Sequence, residues 1–277
     1  MENESTLDLD RTSSFFEEID AQRTLRFDRR LKINRYPTIS VLIATLRPTD
    51  LTSILKQIFH QTLPSFELVL GLHGFELRAE HKTLIAKLKK RSITVVVVKC
   101  HSSMTLGQVL TQLAETSSGQ CIAKMDDDDL YGPQHLRDLA DAMIDSRAEV
   151  VGRAMNYVYL EPLDITVRRF SRTGTQAVEL FSDWVCGGTI LAQRSAAEEA
   201  GWFGEGRNAV DRFILGGVTQ NGGKIWRTFG AGYIYRRSIT FHTYVTNYSK
   251  YLKASREQVV GIWEHEVFGT ESPGGSK

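Results

Sequence analysis

Between Thr38 and Met125 the apolar residues alternate between two rhythms. "TISVLIAT" (38–45) is a continuous, β-branched run of the length of a buried strand, whereas "DLTSILKQIFHQ" (50–61) spaces Leu51, Ile54, Leu55, Ile58 and Phe59 at helical intervals. Asp50 or Thr49 suits the cap of that helix. The alternation then repeats through "FELVLGL", "ELRAEHKTLIAKLKKR", "ITVVVVKC", "LGQVLTQLAETS" and "QCIAKM", read in turn as strand, helix, strand, helix and strand. Strands joined by helices over about a hundred residues predict an α/β fold with a mostly parallel central sheet flanked by helices. Ligands of such sheets bind where the strands end, beside helix N-termini.

After Met125 the regularity fades. "LRDLADAMID" is helical, "AEVVGRAMNYVYLE" and "ITVRRFS" read as antiparallel strands, and "AAEEAGWFGE" begins another helix-and-turn unit, so a smaller antiparallel region is expected to follow the parallel half. The first 36 residues are dense in charge, with one weakly helical patch from Phe15 to Leu25, and read as an extension outside the domain or an arm for homo-oligomerisation. "YSKYLKASREQVVGIWEHEVFG" carries Leu252, Val259, Val260, Trp263 and Val267 near one face of an amphipathic helix. Its polar face mixes both signs, which favours packing on the sheet over lying on a membrane.

Composition narrows the class of partner. Lys+Arg 34 against Asp+Glu 33 leave a formal charge of +1, so nothing draws the whole chain to nucleic acid or to an anionic membrane. An anion must be held by a local site. Cys100, Cys121 and Cys186 form no CxxC and read as reduced thiols. No apolar stretch is long enough to span a bilayer, and "MENESTLDLD" is acidic where a signal peptide is basic, which predicts a cytoplasmic protein.

The candidate for that local site is "AKMDDDDLYGP" (123–133), four aspartates directly after a strand-like run. Adjacent carboxylates repel, so the run is either solvated or holds a cation. Asp127, Asp129, Gly132 and Asp138 match the spacing of a calcium loop, but a strand precedes them where that loop follows a helix. In an extended chain Asp126 and Asp128 project together and Asp127 points away, a pair able to hold Mg²⁺ or Mn²⁺ against a diphosphate.

Together with "PTISVLIATLRP", "QIFHQTLPSFELVLGLHG", "WVCGGTILAQRSAAEEAGWFGE" and "NAVDRF", in that order, this run resembles glycosyltransferase family 2 from about Pro37 to about Tyr244. The resemblance implies the GT-A fold and a metal-dependent, inverting transfer of a sugar from a nucleotide-diphosphate sugar, by default a UDP-sugar. The acceptor would be a hydroxyl on a glycan, a lipid-linked molecule or a small molecule, in cell-wall or polysaccharide synthesis. It implies a nucleotide-sugar half at 37–136 and an acceptor half at 137–248; beyond them the amphipathic pattern predicts a C-terminal helix and flexible tail at 249–277, and the cytoplasmic protein is expected to be able to sit at the inner face of a membrane. By position, Thr45 and Arg47 lie along the nucleoside, Asp126 and Asp128 hold the Mg²⁺ or Mn²⁺ and the diphosphate, and Asp129 faces the donor sugar or braces the loop. His73 stands where the family commonly reads the base with an acidic residue. Asp211 is the general base, and His242 is either a further metal ligand or a histidine satisfied in a strand. Gly187, Gly188 and Thr189 fall on the acceptor side. The two glycines allow close approach of substrate or form a tight turn; Arg212 orients the base, meets phosphate or forms a structural ion pair.

Two other functions share parts of the pattern. A nucleotidyltransferase making the sugar nucleotide would need a Gly-rich basic loop after the first strand, and "ATLRPTD" has no glycine. A non-catalytic carbohydrate-binding relative would not need Asp211, which could otherwise serve as the cap of the helix "DRFILGGV".

Overall fold

A computed structural model describes residues 14–171, 176–238, 247–253 and 255–270. In chain order the first half contains α1 (Phe15–Lys32), β1 (Ile39–Thr45), α2 (Pro48–Phe59), β2 (Glu67–His73), α3 (Ala79–Lys90), β3 (Thr94–Cys100), α4 (Leu106–Thr116) and β4 (Cys121–Lys124). Then come β5 (Leu130–Tyr131), α5 (His135–Ser146), β6 (Val150–Arg153), β7 (Tyr157–Leu160), β8 (Ile165–Arg168), β9 (Leu180–Phe181), β10 (Leu191–Gln193), α6 (Arg194–Glu199) and α7 (Val210–Gln220). β11 (Ile225–Thr228), β12 (Tyr233–Arg237), α8 (Ser249–Lys253) and β13 (Glu257–Val260) complete the described elements.

Among the described residues the larger sheet runs β3-β2-β1-β4-β10-β6-β11-β9, and the smaller one β13-β8-β7-β12-β5. The strands β3, β2, β1 and β4 are parallel, as their helical crossovers require. Side chains of α2, α3 and α5 fill one face of this sheet, and those of α4, α6 and α7 the other. The smaller sheet is antiparallel except where β12 pairs with β7.

One feature of this topology positions the site. β10 is inserted antiparallel between β4 and β6, with Leu191 opposite Ala123. The chain entering β10 therefore passes the carboxyl end of β4. Continuing the same register sets Gly188 level with Asp126, and the Lys124 N–H donates to the Ile190 carbonyl at 2.8 Å.

Three expectations are corrected. α1 is no loose extension: Phe15 and Ile19 join Tyr157, Trp263 and Phe268 in a buried cluster. Its charged side is docked by Glu18 to Arg168 at 2.8 Å, Arg26 to Asp138 at 2.7 Å and Arg30 to Asp141 at 2.7 Å. A Ser14–Glu17 capping box starts the helix. The expected C-terminal amphipathic helix stops after α8, because β-branched Val259 and Val260 pair with Thr166 and Ile165 of β8 instead. The tail from 271 lies outside the described residues. Finally, α2 begins at Pro48 with Arg47 at its cap position, so neither Thr49 nor Asp50 caps it.

All three cysteines are free and buried. No helix among the described residues is long and apolar enough to cross a membrane.

Candidate active site

The four aspartates do not continue the strand. β4 ends at Lys124, and Asp127 and Asp128 lie in a turn that leads into β5. The strict alternation expected of an extended chain therefore fails, and the contacts divide the run differently. Arg47, at the start of α2, grips both Asp127 and Asp128, bonding Asp128 Oδ2 at 2.8 Å. The Thr45 hydroxyl, at the end of β1, donates to Asp127 Oδ2 at 2.5 Å. Burial opposes the Arg47 charge, but Asp127 and Asp128 outweigh it and raise its pKa. Burial likewise pushes the Asp127 carboxyl up to about 6, against the pull of Arg47.

Asp129 is buried and held from β12. The Tyr233 hydroxyl donates to its Oδ2 at 2.6 Å and the Arg236 N–H to its Oδ1 at 2.9 Å, so β12 braces the turn. Burial, then the neighbouring Asp128 and Asp126, hold its pKa well above the usual carboxylate range. The Tyr131 hydroxyl accepts from the Asp126 N–H at 2.7 Å and donates to the Gly188 carbonyl at 2.8 Å, stitching the turn to the chain that enters β10.

Asp126 faces that chain as well, beside Asp129. Lys124 Nζ donates to its Oδ1 at 2.6 Å and to the Gly187 carbonyl at 3.1 Å. Gly187 and Gly188 open a 3-10 turn, and neither position has room for a side chain. A Cβ on Gly188 would stand 2.9 Å from Oδ2 of both Asp126 and Asp129, and a Cβ on Gly187 would stand 2.8 Å from Oδ2 of Asp211. Two adjacent glycines thus let carboxylates from β4 and from α7 approach the same short stretch of backbone.

Asp211 sits in the first turn of α7, whose cap position belongs to Ala209 with a φ of 55°. Asp211 is not the cap, and it accepts no hydrogen bond among the described residues. Arg212 beside it is exposed and forms no ion pair among them. Thr189 is brought next to the cluster but turned inward: it is fully buried, donates to the Cys186 carbonyl at 2.8 Å and accepts from the Arg153 N–H at 2.8 Å. His73 ends β2 on the same edge of the sheet and makes no bond to the aspartates; its Nε2 is buried without a partner. His242 lies outside the described residues.

The donor set suits a hard divalent cation. Asp126 and Asp128 are the partly open members of the run, with side chains 35% and 21% exposed, and Asp126 Oδ2 packs so closely on Gly188 that a Cβ there would stand 2.9 Å from it. Among the described residues no three His, Cys, Asp or Glu side chains converge to hold a metal by themselves. Two carboxylates are enough only for a cation that completes its shell with phosphate oxygens and water.

Sequence reasoning passes over Lys124, Tyr131, Tyr233 and Arg236. The first leaves a visible trace, a lone lysine at the end of an otherwise apolar strand two residues before the first aspartate.

The family model described as "Glycosyl transferase family 2" matches residues 40–201. No curated protein sequence matches the chain. The fold is similar to that of TarS from S. aureus in complex with UDP-GlcNAc, at a TM-score of 0.57 and 16% identity over 78% of this chain and 64% of that one. It is also similar to the mannosyltransferase PcManGT from Pyrobaculum calidifontis in complex with GDP-Man and Mn²⁺, at 0.56 and 12% over 82% and 67%. GalNAc-T7 with UDP, GalNAc and Mn²⁺ matches at 0.55 and 15% over 75% and 45%. The chain covers only 37% of a longer TarS structure.

Proposed function

Because the chain belongs to glycosyltransferase family 2 and carries the GT-A fold, we propose that it transfers a sugar from a nucleotide-diphosphate sugar to an acceptor hydroxyl, with inversion at the anomeric carbon. One observation carries the reading. A Cβ on Gly188 would stand 2.9 Å from Asp126 Oδ2 and one on Gly187 2.8 Å from Asp211 Oδ2, so a carboxylate suited to the diphosphate and a free carboxylate suited to the acceptor flank adjacent residues.

Asp126 and Asp128 would hold Mg²⁺ or Mn²⁺, and the cation, when bound, neutralises charge on the departing diphosphate. Arg47 keeps Asp127 and Asp128 in place, while Tyr131, Tyr233 and the Arg236 N–H fix the turn, so these groups need no reorganisation during transfer. Asp211 takes the proton of the acceptor hydroxyl at a carboxylate oxygen as that hydroxyl attacks the anomeric carbon. Thr45 and Arg47 border the nucleoside site, with His73 on the same edge in reach of the base. Uridine is the default, since TarS and GalNAc-T7 both hold UDP, although PcManGT holds GDP-Man. The acceptor is a hydroxyl of a glycan, a lipid-linked molecule or a small molecule, met in the cytoplasm or at the inner face of a membrane.

Two measurements test the reading. UDP, GDP, CDP and dTDP are titrated calorimetrically with and without Mn²⁺, and at least one should bind only with the metal. Asp211→Asn should then lower turnover by roughly two to four orders of magnitude while leaving nucleotide affinity within about twofold. Near-normal turnover eliminates Asp211 as the base; lost nucleotide binding moves it to the donor side.

A further inference from the structure

Lys124 ends a strand whose other residues are apolar, and its side chain is only 4% exposed. Lysine is rarely this buried without a partner, and packing alone gives no reason for an ammonium here. Its Nζ spends one proton on Asp126 Oδ1 at 2.6 Å and another on the Gly187 carbonyl at 3.1 Å. Burial works against the charge, but Asp126 first, then Asp211 and Asp129, hold the proton on and raise the pKa. One ammonium thus joins the carboxylate assigned to the donor, the backbone beneath the assigned base and the field of that base.

The geometry points to Lys124 as a positioning residue, an internal counter-ion that commits Asp126 Oδ1, so fixes the orientation in which this partly exposed carboxylate meets the cation and diphosphate, and does so at the expense of cation affinity. The inference rests on the functional reading above. Held this way, Asp126 offers one oxygen in one orientation. A positive charge beside it repels the arriving cation, so the protein gives up affinity in exchange for a fixed geometry.

That exchange makes a prediction with two opposite signs. Lys124→Met removes the repulsion and frees both oxygens of Asp126. The Mn²⁺ concentration for half-maximal nucleotide binding should fall roughly 3- to 10-fold, a Coulomb effect trimmed by the partial exposure of Asp126. Turnover at saturating nucleotide sugar and Mn²⁺ should fall about 10- to 100-fold, because the carboxylate can now turn out of position. A residue needed only for packing would weaken both together. Lys124→Arg keeps the charge and should return the Mn²⁺ requirement to within about twofold of wild type, against the tightening in the uncharged variant.

The experiment measures Mn²⁺-dependent binding of UDP, GDP, CDP and dTDP to the full chain by calorimetry, with turnover and melting temperature beside it. If Lys124→Met melts below the assay temperature, Lys124→Gln takes its place, since it keeps a donor for the Gly187 carbonyl without the charge. Tighter Mn²⁺ dependence with slower turnover supports the assignment. An unchanged or higher Mn²⁺ requirement in the uncharged variant, with wild-type binding intact, overturns the role of Lys124 alone. Wild-type protein that binds none of the four nucleotides with Mn²⁺ overturns the functional reading and this role together.

Discussion

Adding one methyl group at Gly188 tests the crowding on which the site depends. An ideal Cβ there stands 2.9 Å from Oδ2 of Asp126 and of Asp129, and 3.1 Å from the Tyr131 hydroxyl. Two of these neighbours cannot yield. Asp129 is held at both oxygens by Tyr233 and the Arg236 N–H, and Tyr131 bridges the Asp126 N–H and the Gly188 carbonyl. Asp126 is partly exposed and can swing, but only by loosening its 2.6 Å bond to Lys124. Overpacking of this kind costs about 1–3 kcal/mol. If the Asp126 position bears all of it, affinity for whatever that carboxylate holds drops roughly 5- to 150-fold. Calorimetric titration of the preferred nucleotide diphosphate with Mn²⁺, on wild type and Gly188→Ala, reads this directly. The melting temperature should fall by no more than about 2–4 °C per kcal/mol of strain that is not relieved. Gly216→Ala is the control, since its Cβ meets nothing within 4 Å in the middle of α7, and it should stabilise by about 0.5–1 kcal/mol with no change in binding. Wild-type nucleotide affinity and turnover in Gly188→Ala would refute the close packing of Asp126 Oδ2 on Gly188 as a requirement of the site.

The remaining expectations concern stability. Glu18→Ala leaves Arg168 without a carboxylate it meets at 2.8 Å in a fully buried setting, and should cost about 3–5 kcal/mol in urea unfolding; a cost under about 1 kcal/mol would mean α1 is not part of the folded body. His135 is fully buried, its Nδ1 accepts from Arg153 Nε at 3.0 Å, and burial and then the Arg153 charge hold its pKa well below the usual imidazole value. The folded state therefore stays neutral where the unfolded chain takes up a proton. This group's stability is present above about pH 6.5 and is lost below it by about 1.4 kcal/mol per pH unit, down to the folded pKa. His135→Gln keeps an acceptor for Arg153 without titrating, so its stability between pH 6.5 and 5 should be flatter than wild type; identical slopes would exclude His135 as the source.

The parallel half is legible in the sequence because its signals are local. Each strand from β1 to β4 is a short apolar run between helical patterns, and α2 and α4 put Leu51, Ile54, Leu55, Ile58, Val109, Leu110 and Leu113 at buried positions by spacing alone. The misread elements depend on distant chain. The polar side of α1 looks solvated, yet Glu18 and Arg26 find their partners at Arg168 and Asp138, more than a hundred residues away. Val259 fits a helical face as well as a strand until Thr166 is set opposite it. Local pattern cannot choose between those outcomes, since β-pairing is decided by the neighbouring strand.

The aspartate run shows the same division at the scale of a few residues. Its location after a strand is local information, and the structure keeps it. The share of each carboxylate is not, because it is set by what converges on the turn: Arg47 from α2 on Asp127 and Asp128, Tyr233 from β12 on Asp129, and the glycines before β10 on Asp126. Four adjacent negative charges are tolerable because Arg47 meets Asp127 and Asp128, Lys124 meets Asp126, and Asp129 accepts from Tyr233 and the Arg236 N–H. A run of like charges at a strand end is thus best tested by asking what each charge touches. Its electrostatic cost, and any cation it can still accept, follow from the charges the protein has already placed there.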